Sequence, residues 1–226
     1  MITTELLLVR HGQAHCNAAG IVGGPRTCTG LTDHGRHQMA LVADRLAADN
    51  FDTSRITTVY TGPRLRLRES AEILAHALNA PIVVEPGLDG PRHGEADGRP
   101  WQEITASFRG HPPTHPDRPW ASRSDTWNDY LHRATGDLAD LLSRAAGQRI
   151  VAAAHGETVI AGHTLLLGLP TGSRVRFTVE HASLTRWQHR RDRFGQDSWW
   201  LDRHNDTTHL HATPPAPAPA PADAIR

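Results

Sequence analysis

ELLLVRHGQAHCN, residues 5–17, is the stretch from which this chain is best read. Leu6, Leu7, Leu8 and Val9 form a short apolar run that stops at Arg10-His11-Gly12. A run of that length bounded by glycine reads as a buried strand passing into a polar loop. Ligands of open α/β sheets bind beyond the carboxyl ends of parallel strands, so a histidine at this point sits where a substrate can reach it. Three such residues recur by chance in many chains, and the motif gains meaning only from its partners. The same grammar returns at residues 149–157, where the strand-like Arg149-Ile150-Val151-Ala152-Ala153-Ala154 runs into His155-Gly156-Glu157. Between the two, TGPRLRLRESAEIL at 61–74 follows the β-prone Thr57-Thr58-Val59-Tyr60 and opens a helix, which puts Arg66 near a third strand end. Arg10, His11, Arg66 and His155 then form a set of cationic donors around one candidate nucleophile.

The bulk of the chain sets outer limits. Its 226 residues fit one domain with a substantial core. Lys+Arg and Asp+Glu are 24 each, so no global field draws the protein to nucleic acid or to an anionic membrane, and cationic character must be local. The longest early apolar run is far short of the ~20 residues that span a bilayer, and the N-terminus lacks a signal-like pattern. A cytoplasmic location is the expectation. Cys16 and Cys28 are too few for a disulfide framework, and Cys16 reads as a packing residue rather than a nucleophile.

Outward from the two histidines, the chain reads as alternating strands and helices. A Gly-rich loop at 13–30 leads to Thr32, a helix N-cap, with Met39, Val42 and Leu46 on the buried face that follows. Strand 57–61 is followed by a helix to Leu78, with Ile73, Leu74 and Leu78 inward, and by strand 81–85. Residues 86–123 are irregular and carry Trp101, Phe108 and Trp120. Loops of that length are commonly functional, and this one is expected to be a substrate-selecting lid whose aromatics are either exposed to ligand or half-buried on the sheet. An amphipathic helix spans 126–146, closed by Gly147, and after His155 a helix at about 159–167 is apolar enough to be buried. Short strands are expected at 174–179, 184–188 and 199–202, the last two as an edge hairpin. The Pro-Ala run at 213–223 favours extended polyproline II and builds no core. The expected layout is a catalytic domain at 1–212 and a disordered tail at 213–226.

Four motifs in order now carry a resemblance: RHGQ with Asn17 downstream, LTDHGRHQ at 31–38, GPRLRLRESAEIL at 62–74 and AAAHGE at 152–157. Together they resemble the histidine phosphatase superfamily, phosphatase branch, over nearly the whole of 5–210. WWLDRHNDTTHL at 199–210 is similar to the closing segment of some members. The resemblance implies a phosphoglycerate mutase-like fold, a three-layer α/β/α sandwich with a mostly parallel central sheet and an antiparallel edge. It implies His11 as the nucleophile, with Arg10, Asn17, Arg66 and His155 holding phosphate. Register from Pro63 and Ser70-Ala71-Glu72 selects Arg66, leaving Arg64 and Arg68 as solvated arginines. Two departures stand out: Cys16 replaces the tryptophan usual before Asn17, and Gly90 occupies the position of the glutamate that protonates the leaving group. The substitute acids, in order of preference, are Asp89, Glu95 and Glu157.

The resemblance implies no cofactor and no metal, and His204, His209 and His211 come without the accompanying ligands of an established zinc spacing. The partner implied is a small phosphorylated metabolite, with a homodimer compatible. Three readings of function stay open: a phosphatase, on a monoester or a diphosphate ester; a phosphoglycerate-type mutase; and a non-catalytic binder of phosphate groups, suggested by Gly90.

Overall fold

The computed structural model describes residues 1–52, 55–170, 172–173 and 175–211. The first strand, β1, spans Ile2–Arg10, longer than its leucines alone indicate because Ile2 and Thr4 continue to pair with an antiparallel neighbour. There follow α1 (His15–Ala18), α2 (Asp33–Asp52), β2 (Thr58–Thr61), α3 (Leu65–Leu78), β3 (Ile82–Val84), α4 (Trp101–Phe108), α5 (Trp127–Arg144), β4 (Arg149–Ala154), α6 (Gly156–Leu166), β5 (Leu184–Arg191) and β6 (Asp197–Asp206). Thr32 caps α2 by accepting from Gly35 N at 3.0 Å. Thr126 and Asp129 cap α5 reciprocally in a capping box.

The six strands form one sheet in the order β3-β2-β4-β1-β5-β6. β3, β2, β4 and β1 run parallel, and β5 and β6 add an antiparallel edge. Alternation along β1 divides the core. Leu6 and Leu8 pack with Tyr130, Leu138 and Val159 of α5 and α6, whereas Leu7 and Val9 pack with Met39, Leu46 and Leu74 of α2 and α3. A strand apolar on both faces needs helices on both faces, and the three-layer α/β/α sandwich follows.

Several expectations are corrected. Residues 175–179 form no strand, and Arg174 lies outside the described residues. The helix after His155 is buried at Thr158, Val159, Ala161, Gly162 and His163 and partly buried elsewhere, but exposure begins at its C-cap, Leu167, which is 47% exposed. The aromatics of 86–123 do not lie on the sheet, and Trp101 and Trp120 line a cavity. Phe108 and Trp120 are buried with Val22, Ala96 and Ile104 in a third cluster, against which Trp101 packs. That cluster exists because two loops are laced together: Val22 N donates to Arg99 O, Gly98 N to Val22 O, and Trp101 N to Gly20 O. The tail at 213–226 lies outside the described residues. Among the described residues no helix is long and apolar enough to cross a membrane.

Candidate active site

Register brings the two histidines together. β1 and β4 pair in parallel with Arg10 opposite Ala154, so His11 and His155 leave adjacent strands at the same edge. His11 N extends the ladder by donating to Ala154 O at 2.9 Å, and the two imidazole centroids lie 5.3 Å apart, nearly perpendicular. β2 lies on the other side of β4, and the turn after it delivers Arg64 and Arg66 to the same place. Gly12 allows the tight exit from β1, since a Cβ there would stand 2.2 Å from Gly35 O at the start of α2.

His11 is 3% exposed. Its Nδ1 lies 2.7 Å from Gly12 O, which makes Nδ1 the protonated nitrogen and leaves the lone pair on Nε2. Arg66 Nε donates toward that Nε2 at 3.2 Å, and Arg66 Nη1 is anchored on Gly23 O at 3.0 Å. Burial, and then the charges of Arg66, His155 and Arg10, hold His11 well below the ordinary histidine range. His155 is held well below it as well, by burial and then by Arg66 and Arg64. Both rings are therefore neutral near pH 7. His155 Nε2 and Arg10 Nε are buried without a protein hydrogen-bond partner, and the first N–H groups of α6, which follow His155, add a partial positive charge. The arrangement is a hole for an anion, with one nucleophilic nitrogen at its wall.

Asn17 sits in α1, its Oδ1 accepting from Ala14 N at 3.0 Å, so the amide nitrogen is the atom left to bind an anion. Cys16 is buried beside Gly23, whose Cβ would meet its Sγ at 2.3 Å; burial pushes its thiol up, in keeping with a packing role. Arg68 is exposed, as expected. Arg64 is not the solvated arginine expected of a helix start. It is 5% exposed, donates to Gly23 O at 3.0 Å and Pro91 O at 2.8 Å, and holds its Nε 2.7 Å from Asp89 Oδ1, within ion-pair distance but out of line for a hydrogen bond. The turn after β2 points inward, under the clasp formed by the 20–28 and 86–101 loops, and this geometry has no local signature.

The carboxylates separate by environment. Asp89 Oδ1 is 3.5 Å from His155 Nε2 but is also engaged by Arg64 and by Gly90 N at 2.9 Å. Glu95 is exposed, and its carboxylate makes no hydrogen bond or ion pair among the described residues. Glu157 lines a cavity of about 380 Å³ that opens beside Arg10. A Cβ at Gly90 would stand 3.0 Å from His155 Cδ2, so the position of the missing acid does border the second histidine.

Two further histidines belong to this neighbourhood and were not singled out from the sequence. His181 Nε2 lies 3.1 Å from Arg10 Nη2, and its ring centroid is 5.7 Å from that of His11. Burial and the nearby arginines push it down to about 4. His93, 5% exposed, touches Trp101 and Trp120 and is pushed down to about 3 by burial, then by Arg64 and Arg66. The signal for His181 is topological: Ala182 N donates to His11 O, so the residue entering antiparallel β5 necessarily reaches the outgoing end of β1.

These shifts give a pH prediction. A histidine whose folded value lies below its ordinary 6.5 binds fewer protons folded than unfolded, so its contribution to stability is complete above about 6.5 and is lost as pH falls toward the folded value. The midpoint of thermal unfolding should drop between pH 7 and pH 4. In His93→Gln, with one such group removed, that drop should be shallower by calorimetry; an unchanged slope would contradict the assignment.

The family model described as histidine phosphatase superfamily (branch 1) matches residues 6–207. A curated relative from Photorhabdus laumondii, a probable phosphoglycerate mutase GpmB, is 26% identical over 209 residues, covering 91% of this chain and 94% of the relative. A mycobacterial glucosyl-3-phosphoglycerate phosphatase, solved with VO3, has a TM-score of 0.74 at 21% identity and covers 89% of this chain and 98% of that one. Phosphoserine phosphatase from Entamoeba histolytica, solved with 3-phosphoglyceric acid, has a TM-score of 0.70 at 22% identity, covering 92% of this chain and 99% of that one. At these identities the solved structures share the fold, and the chemistry must be argued from the site.

Proposed function

Because this chain belongs to the histidine phosphatase superfamily, branch 1, we propose that it is a phosphatase that hydrolyses a phosphate ester of a small metabolite through a phosphohistidine on His11. The observation that carries this reading is the state of His11: a neutral ring with Nδ1 committed to Gly12 O and Nε2 directed into a cationic hole shared with Arg66.

In this reading phosphate enters the hollow on Arg10, Arg66, the Asn17 amide and His155. The guanidinium groups neutralise charge on the equatorial oxygens, which is most of what phosphoryl transfer requires. Nε2 of His11 attacks phosphorus, the bond from phosphorus to the ester oxygen breaks, and the departing alkoxide takes a proton. Glu157 is the donor we assign. It lines the cavity into which the leaving group must depart, whereas Asp89, preferred from the sequence, is held by Arg64 and Gly90 N. Water then cleaves the phosphorus–nitrogen bond and releases phosphate.

A mutase is the second reading, favoured by the names of the curated relatives. One experiment separates the two. Purified protein is incubated with a panel of phosphate esters that includes 2- and 3-phosphoglycerate, and free phosphate and positional isomers are both measured. Net phosphate release supports the phosphatase; interconversion of the isomers without release overturns it in favour of the mutase. Binding of these esters with neither outcome leaves a phosphate-group binder.

A further inference from the structure

The cavity beside Arg10 is too apolar for the compounds on which its relatives are named. Its wall carries Trp101, Trp120, Trp127, Ile160, Phe177 and Val179, together with three prolines. Among the described residues that line it, the ionisable side chains are Arg10, Glu157, His93 and His111, and Arg10 commits Nη1 to Val179 O and Nη2 to His181 Nε2, leaving Nε unpaired. His93, the histidine on this wall that is pushed down to about 3, is neutral at working pH. A second anionic group on the substrate would thus find no lysine and no second arginine among the described lining residues, at a desolvation cost that the mostly apolar wall does not repay. A polyhydroxylated body fares little better, because three indoles, a phenyl ring, three prolines and two aliphatic side chains make up most of the wall, leaving Glu157, His93, His111 and the indole N–H groups, besides Arg10, as its polar side chains.

The cavity is continuous with the reaction site. Gly156 and Glu157, which line it, follow His155 directly, and a Cβ at Gly156 would lie 3.5 Å from Arg10 Nε. Pro91, which also lines it, adjoins Gly90 against the His155 ring. At about 380 Å³ the space falls within the range of small-molecule pockets, roughly 300–1,000 Å³, and three indoles and a phenyl ring offer flat faces to a flat ligand.

From this, and resting on the phosphatase reading, we propose that the substrate is a phosphomonoester of an alcohol with a single apolar, ring-bearing body, and that phosphoglycerate and sugar phosphates are rejected. The reaction keeps the balance given above, with the apolar alcohol departing into the cavity and its oxygen taking the proton from Glu157.

The test compares 3-phenylpropyl phosphate with glycerol 1-phosphate and 3-phosphoglycerate. The first two are esters of primary alcohols, so their leaving groups have comparable basicity and the comparison reads the body of the substrate. Burial of one phenyl ring should raise kcat/KM for 3-phenylpropyl phosphate roughly 10- to 100-fold over glycerol 1-phosphate. Phe177→Ala and Trp101→Ala should each shrink that preference severalfold, through a larger loss of kcat/KM on the phenylpropyl ester than on glycerol 1-phosphate. Equal or lower kcat/KM for the phenylpropyl ester, or a preference that both variants retain in full, overturns the proposal. If 4-nitrophenyl phosphate and every other ester are inert, the phosphatase reading itself has failed. Calorimetry then still tests the pocket, because 3-phenylpropylphosphonate must bind more tightly than phosphonates bearing a hydroxylated or carboxylated chain, and the reverse order refutes it.

Discussion

His11→Ala is expected to release no measurable phosphate from any ester that the wild type hydrolyses, a loss on the order of 10⁴- to 10⁶-fold, the scale seen when the nucleophile of a covalent mechanism is deleted. The size of the effect follows from the environment of Nε2. The backbone carbonyl of Gly12 fixes the tautomer, Arg66 faces the lone pair, and burial keeps the ring unprotonated, so no neighbouring group is similarly prepared to attack phosphorus. His155 and His181 are close, but among the described residues His155 has no such backbone tether on its ring, and His181 Nε2 is engaged by Arg10. Rapid quenching of wild type with a ³²P-labelled ester should trap protein-bound phosphate that is acid-labile and alkali-stable, as expected of phosphohistidine, and His11→Ala should trap none. Circular dichroism of the variant guards against misfolding. Substantial phosphate release by a folded His11→Ala protein would overturn the nucleophile assignment.

The second large effect concerns the proton. Glu157→Gln should slow hydrolysis of a poor leaving group, 3-phenylpropyl phosphate, by roughly 10²- to 10⁴-fold, the usual worth of general acid catalysis. The same variant should leave 4-nitrophenyl phosphate within a few fold of wild type, since that leaving group departs without a proton. Asp89→Asn should behave differently. It removes the carboxylate facing the buried guanidinium of Arg64, so it should lower thermal stability and slow both esters alike, with no discrimination by leaving group. Should Asp89→Asn rather than Glu157→Gln separate the two esters, the proton donor is Asp89 and not Glu157. Glu95, exposed in this structure, serves as a neutral control.

These contrasts show where reading the chain succeeds and where it cannot. Leu6–Val9 and 150–154 identify themselves, because a strand covered on both faces must be apolar at every position and a polar loop interrupts each abruptly. Thr32 and Thr126 announce their helices through local hydrogen bonds that the next three residues complete. Arg64 could not be read in this way. Its burial depends on Gly23, Pro91 and Asp89, contributed by segments remote in the chain or by a loop that folds back over the turn. Trp120 and Phe108 were equally opaque: an irregular, proline-rich segment gives no periodicity from which an inward face can be assigned, and their cluster is closed by Val22 from another loop.

By itself the sequence determined the layered α/β architecture and the meeting of Arg10, His11, Arg66 and His155 at one strand edge, because strand composition and motif order are local properties that survive without coordinates. Tertiary structure alone decided the rest: the entry of His181 beside Arg10, the pairing of Arg64 with Asp89, the separation of Glu157 from Glu95, and the aromatic lining of the cavity. Each depends on which strand neighbours which and on how two loops clasp, and a side chain's charge state and partners follow from that enclosure rather than from its neighbours along the chain.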